Sequence, residues 1–237
     1  MFTTITLDGP GKNSLSTPMM QSVIDRIEAA KDRPLLLVGN GDAFCAGLNL
    51  KEVATLDGNS MGAFVVLVER MMAMLFDHPA PTVACVNGHA IAGGCILELA
   101  CDHRVSTDSP SVRIGVNELA LGLVFPPKIM RIVKHRVPPR SLHEVVLRSR
   151  LVSPQDALRM GMVDELAADP RAVAEERVRE LASLPRDAYV AAKRSLREGI
   201  TTFDPKAYEA ELAAVLPGWT GPRVKELVMK QLSKSKA

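Results

Sequence analysis

The stretch from Pro81 to Asp108, PTVACVNGHAIAGGCILELACDHRVSTD, constrains the fold more than any other. Thr82–Val86 is short, apolar and bounded by turn residues, which is the pattern of a buried strand. A glycine-bearing turn follows, then a short helix opening at Gly93 and a second strand near His103–Thr107. The first N–H groups of a helix have no partner inside it and attract negative charge. Gly93 and Gly94 carry no Cβ, so a ligand carbonyl can come close to the backbone there. Glycine pairs also serve plain tight packing, and this stretch alone does not decide between the two.

The rest of the composition narrows the setting. The chain has 237 residues, 47% of them hydrophobic and 24% charged, as an ordinary soluble globular protein does. That length holds one large domain, or a domain with a helical appendage. The net charge is +2 and no basic run has interleaved aromatics, which argues against nucleic acid as a partner. Cys45, Cys85, Cys95 and Cys101 form no C-x-x-C pair and sit among apolar residues, so they read as small buried hydrophobes in a reducing compartment. The five histidines show no ligand spacing, and no metal site is expected. A strand begins almost at Met1, no apolar run approaches the ~20 uninterrupted residues of a membrane span, and the terminal KSKA is neither a lipidation nor a peroxisomal signal. The expectation is a cytoplasmic protein with no membrane partner.

In chain order, Phe2–Leu7 reads as a strand closed by the turn cluster Asp8-Gly9-Pro10-Gly11. GPGKNS lacks the leading glycine of a phosphate loop. Ser16-Thr17-Pro18 starts a helix that runs to Lys31, and Pro34–Val38 is an apolar run of strand length. Strand, helix and strand in this order imply a parallel sheet with a right-handed crossover. Gly39–Leu50 reads as a glycine-rich loop and Asn59–Asp77 as a helix whose Met71, Met72 and Met74 fill core or line an adaptable pocket. Ser111–Leu123 is a short strand leading into a loop, and the chain is almost wholly helical from Pro126 onward. Ser153-Pro154 opens one helix that Gly161 closes, while Tyr208–Leu216 and Pro222–Leu232 are amphipathic segments separated by Pro217-Gly218.

Three segments taken together resemble one family: AFCAGLNLKE (Ala43–Glu52), VNGHAIAGGCILELACDHRV (Val86–Val105) and IGVNELALGLVFP (Ile114–Pro126). The chain resembles the crotonase family, that is, the enoyl-CoA hydratase/isomerase family, over nearly its whole length. The resemblance implies an α/β fold, a spiral of ββα repeats with a C-terminal helical trimerisation region. Residues 1–185 would form the spiral core with the active site and residues 186–237 the helical region. It also implies an acyl-CoA thioester substrate, coenzyme A entering only as part of that substrate, no other cofactor, and a homotrimer or dimer of trimers.

By motif position, the backbone N–H groups of Leu48 and Gly93 would hold a thioester enolate. Preorganised donors of this kind are worth about 3–4 kcal/mol of transition-state stabilisation each. Ala46, Leu50, Lys51, Gly94 and Asn117 would fall along the substrate path, and Lys12 lies where it would meet the pantetheine or phosphates or else stand as a solvated turn lysine.

The acid–base residues separate the members. Hydratases of this likeness carry a glutamate just after the glycine pair, where this chain has Ile96; Glu98, two residues on, lies roughly 200° round the helix and reads as a supporting or solvated group. The second family glutamate is present as Glu118. One carboxylate beside an oxyanion hole suits a 3-enoyl-CoA to 2-enoyl-CoA isomerase, with Glu118 as the catalytic base. The alternatives are enoyl-CoA hydration or another crotonase-type reaction, and a catalytically silent acyl-CoA-binding protein. His89 reads as structural, since no nucleophile elbow accompanies it.

Overall fold

A computed structural model of the chain describes residues 1–234; the last three residues of the KSKA end lie outside the described residues. The chain opens with β1 (Thr3–Leu7), the single turn α1 (Pro10–Asn13) and α2 (Thr17–Ala30). Next come β2 (Leu35–Gly39), β3 (Ala43–Cys45), α3 (Leu50–Val53) and α4 (Gly58–Phe76), followed by β4 (Thr82–Val86), β5 (His89–Ile91) and α5 (Gly93–Leu99). β6 (His103–Thr107) and β7 (Ile114–Gly115) lead into a 3-10 turn at Glu118–Leu121. The remainder runs α6 (Pro127–Arg136), α7 (Pro139–Leu147), α8 (Pro154–Met160), β8 (Glu165–Ala167), α9 (Pro170–Ala182), α10 (Arg186–Arg197), α11 (Pro205–Val215), α12 (Pro217–Thr220) and α13 (Pro222–Lys234).

The larger sheet has the order β1-β2-β4-β6-β8 and the smaller β3-β5-β7. Every pairing in both is parallel. The pairs β2–β3, β4–β5 and β6–β7 therefore each give one strand to each sheet before the chain passes into helix. This is the α/β spiral of ββα repeats that the resemblance implies.

β2 and β4 are buried along their whole length because helices cover both faces of the larger sheet. Alternate residues part accordingly. Leu35 and Leu37 join the main core with Val23 and Ile24 of α2 and Val65 of α4. Leu36 and Val38 face Ala174 and Val178 of α9. The start of α2 is capped as its sequence predicts, with the Ser16 side chain accepting the Met19 N–H at 3.4 Å. Asp57 and Ser60 close a reciprocal capping box on α4.

Three expectations need correction. The loop read over Gly39–Leu50 contains β3, the turn after Val86 contains β5, and the helical stretch after Pro126 is interrupted by β8 on the edge of the larger sheet. Segments of three residues show no periodicity, and parallel pairing with distant strands is what makes them strands. α4 is long and apolar enough by length and composition to cross a membrane, although Glu69 and Arg70 interrupt its apolar run. Its Met61, Phe64, Val65, Met71 and Leu75 are buried in the core.

Candidate active site

The spiral leaves a cleft of about 720 Å³ whose walls come from elements far apart in the chain. Ala46, Leu48 and Leu50 enter from the segment after β3, and Ile91, Gly93 and Ile96 from the β5–α5 junction. Asn117 and Glu118 come from the start of the 3-10 turn. Val68 and Met72 of α4, Ile129 of α6 and Trp219 of α12 complete an apolar lining.

The two junctions are fixed by main-chain bonds, which also set where their amides point. The Leu15 N–H donates to Gly47 O at 2.8 Å and the Asn49 N–H to Leu15 O at 3.0 Å, a one-residue parallel bridge. In a trans peptide the C=O and the following N–H point opposite ways, so the Leu48 N–H is directed away from Leu15. At the other junction, Ala92 O accepts the Ile96 N–H at 3.0 Å, which sends the Gly93 N–H out of the start of α5. Among the described residues neither N–H has a hydrogen-bond acceptor. The junctions are close: a Cβ built on Gly47 would lie 3.4 Å from Gly93 N.

Glu118 is the one ionisable side chain among the described residues lining the cleft. It is buried, its Oε2 has no hydrogen-bond partner, and burial pushes its pKa up to about 8. The Asn117 Oδ1 beside it is likewise buried without a partner. Ile96 lines the same cleft and is 3% exposed.

The walls are held by buried polar contacts. Glu69, next to Val68, accepts the Lys128 N–H and the Tyr208 hydroxyl, each at 2.6 Å, and so ties α4 to α6 and α11. Trp219 donates its Nε1–H to Val124 O at 2.8 Å, which brings α12 against the cleft. Asp102, after α5, takes the Thr82 N–H, the Lys193 ammonium and the Arg197 guanidinium, each at 2.7 Å. Burial alone would raise the Asp102 pKa, but those two cations hold it below the usual carboxylate range. A second hollow, of about 830 Å³, lies along α10, with Lys193 and Arg197 on its wall already engaged by Asp102.

The residues singled out from sequence divide clearly. Leu48, Gly93, Glu118, Ala46, Leu50, Asn117 and Ile96 converge on the cleft. Gly94 does not: a Cβ there would collide with Cys45 O, so this glycine serves the packing of α5 on β3 rather than the approach of a ligand. Lys12 is exposed and ion-paired with Asp42, while Lys51 is exposed on α3; neither lines the cleft. Glu98 is not solvated. It is fully buried behind α5, accepts the Cys95 thiol at 3.3 Å and is pushed up to about 8 by burial. His89 accepts the Arg113 N–H at 3.0 Å, a structural role.

All four cysteines are free and buried. Burial pushes Cys45, Cys85 and Cys101 up to about 12, which makes them poor nucleophiles. Among the described residues no group of three His, Cys, Asp or Glu is placed to share a metal ion. Sequence reading missed Trp219, Val68 and Ile129, none of which has a local signal, and it placed Met72 between core and pocket, where the structure puts it on the cleft.

A two-sheet parallel spiral closed by C-terminal helices is the crotonase fold. The chain belongs to the enoyl-CoA hydratase/isomerase family, whose profile matches residues 2–216. It is 31% identical over 220 residues to YngF of Bacillus subtilis (strain 168), whose name carries the enoyl-CoA hydratase/isomerase designation; the match covers 86% of this chain and 84% of YngF. Enoyl-CoA delta isomerase 1 of Mus musculus is 30% identical over 168 residues, covering 69% of this chain and 58% of that one. In fold, the human mitochondrial delta3-delta2-enoyl-CoA isomerase superposes with a TM-score of 0.92 at 22% identity, over 98% of this chain and 93% of the other. An enoyl-CoA hydratase from Mycobacterium ulcerans superposes with a TM-score of 0.80 at 27% identity, over 91% and 94%.

Proposed function

We propose that this enzyme shifts the double bond of a 3-enoyl-CoA to give trans-2-enoyl-CoA. The observation that carries this reading is the lone carboxyl among the described lining residues: Glu118 shares the cleft with the apolar Ile96, with no second acid there to hold or activate water. Glu118 takes a proton from C2 of the acyl chain. The electrons left on C2 delocalise onto the thioester oxygen, which the Leu48 and Gly93 N–H groups hold as an enolate conjugated with the 3,4 double bond. Glu118 then returns its proton to C4, and the double bond settles between C2 and C3. No atom is gained or lost and no cofactor takes part.

A raised pKa helps both steps, because the carboxylate is a stronger base and the carboxylic acid survives near neutral pH to give the proton back. Val68, Met72 and Ile129 offer the acyl tail an apolar bed. The proposal extends to assembly as a homotrimer or dimer of trimers, supported by exposed Leu147, Leu196 and Met229, and to a cytoplasmic setting, which suits the four free thiols.

Incubation with a trans-3-enoyl-CoA tests the reaction. A rise in the absorbance of a conjugated thioester is expected. Formation of a 3-hydroxyacyl thioester at a matching rate would replace the reading with hydration, and retained binding without turnover would replace it with a silent acyl-CoA-binding protein. Sedimentation as a stable monomer at micromolar concentration would overturn the assembly.

A further inference from the structure

Ala92 sits between the two junctions in a conformation an alanine rarely takes. Its φ is 51° and its ψ −122°, in the half of backbone space that glycine enters freely and a Cβ does not. Among the described residues three other non-glycine residues have positive φ, namely Asn13, Lys31 and Ser149. None of these lines the cleft, whereas Ala92 does, and Ala92 has no polar side chain to bond its own backbone in compensation. The surrounding bonds enforce the conformation. The Ala92 N–H donates to Gly115 O at 2.8 Å on β7, and its C=O accepts from Ile96 at 3.0 Å on α5. The peptide between Ala92 and Gly93 is thus gripped on one side by the smaller sheet and on the other by the helix.

The methyl group has its own contact. A Cβ placed on Gly47 would come 3.1 Å from the Ala92 Cβ and 2.7 Å from Ile91 O, so the Ala92 methyl lies directly over the Gly47 backbone. Gly47 is the residue whose carbonyl fixes the aim of the Leu48 N–H through its bond from Leu15. One methyl therefore stands between the segment after β3 that carries the first free N–H and the peptide that carries the second.

We propose that Ala92 is a positioning residue: its β-carbon, held in a strained backbone, sets the spacing and the aim of the Gly93 N–H relative to the Leu48 N–H. Strain is kept where the surrounding structure over-determines it, and a site that binds developing charge gains from donors that cannot turn aside. Glycine at this position would accept the same φ and ψ without strain. It would also open further conformations to the peptide between residues 92 and 93 and leave a gap over Gly47. Stability and enolate binding should then move in opposite directions.

The inference rests on the reading of Leu48 and Gly93 as an oxyanion hole, and its test separates the two. Acetoacetyl-CoA serves as the probe, since its enolate is conjugated, absorbs in the near ultraviolet and places a charged oxygen where the thioester oxygen would sit. Thermal unfolding, turnover of trans-3-enoyl-CoA and the enolate absorbance of bound probe are measured for the parent, Ala92→Gly and Ala92→Ser. The Ala92→Gly variant is expected to unfold at or above the parent's midpoint, with kcat and the enolate signal lowered about tenfold and KM little changed. Ala92→Ser keeps a β-carbon and should recover most of the enolate signal. An Ala92→Gly variant that matches an active, enolate-forming parent overturns the inference and leaves the proposed function standing. Stability and enolate signal falling together, with no recovery in Ala92→Ser, would make Ala92 a packing residue only and overturn it as well. A parent that shows neither turnover nor enolate overturns the oxyanion reading and the inference with it.

Discussion

Ile96 on α5 and Glu118 at the start of the 3-10 turn line the same cleft, and of the two only Glu118 carries a proton to give or take. That pairing of one acid with one apolar wall separates a proton shuttle from a site that must also manage water.

Replacing Glu118 with Gln keeps the shape and removes the proton. Turnover should fall 10²–10⁴-fold while acyl-CoA affinity and unfolding stay near the parent's, as steady-state kinetics and calorimetric titration would show. Activity within about tenfold of the parent would remove Glu118 as the base.

The rate should depend on pH through the same group. Burial raises Glu118 to about 8, and the base is its ionised form, so kcat/KM should climb with pH and level off above about 8. Stability runs the other way. A carboxyl whose folded pKa is raised favours the folded state at low pH, and that contribution is lost as pH rises from its ordinary 4.5 through about 8. Glu98 has the same sign and the same value. Glu98→Gln should therefore flatten the loss of stability between pH 4.5 and about 8, read from thermal midpoints, without moving the rate profile; a shifted rate limb would mean the profile reports Glu98.

Ile96→Glu tests why the cleft should isomerise rather than hydrate. A second carboxyl placed in the cleft beside the one on Glu118 can hold water and protonate the substrate, so hydration of 2-enoyl-CoA should rise above the parent's level. The cost in stability is roughly 1–3 kcal/mol, because the apolar wall offers the new group no partner. The readout is loss of conjugated-thioester absorbance with the 3-hydroxyacyl product identified. A parent that already hydrates as fast as it isomerises would show that Ile96 is not the determinant.

Asp102→Asn addresses the anchoring of α10. Lys193 and Arg197 would be left buried with no carboxylate, a change that typically costs 3–5 kcal/mol. For a chain of this size the thermal midpoint should drop by about 10 °C. A midpoint within about 2 °C of the parent's would mean that α10 is held by packing alone.

The candidate site was legible in the sequence only where chemistry is local. Gly93 announces itself as a helix opening without a Cβ, and Glu118 as a carboxylate in a short motif. In the larger sheet β2 and β4 were readable because burial on both faces leaves an uninterrupted apolar run, in Leu35–Gly39 and Thr82–Val86, whereas the three-residue β8 was not. β3, β5 and β7 were not read in full, since two or three residues cannot display a period and their pairing joins residues tens of positions apart. Gly94 was misread for a related reason: nothing local says whether the absent Cβ faces a ligand or the Cys45 backbone.

By itself the sequence determined the parallel α/β class and put Ile96 where hydratases of this likeness carry a glutamate, and its resemblance to the family pointed to Leu48, Gly93 and Glu118 as the residues that would hold a thioester or take its proton. The fold class follows from periodicities of two and 3.6, which are properties of neighbours along the chain, and the site residues follow from the resemblance of three motifs to the family. Only the tertiary structure decided that Glu98 is sealed behind α5, that Trp219 closes the cleft from α12, and that Ala92 is held at positive φ between Gly115 and Ile96. Each of these depends on backbone groups brought together by parallel crossovers, and a crossover fixes partners that no local spacing encodes.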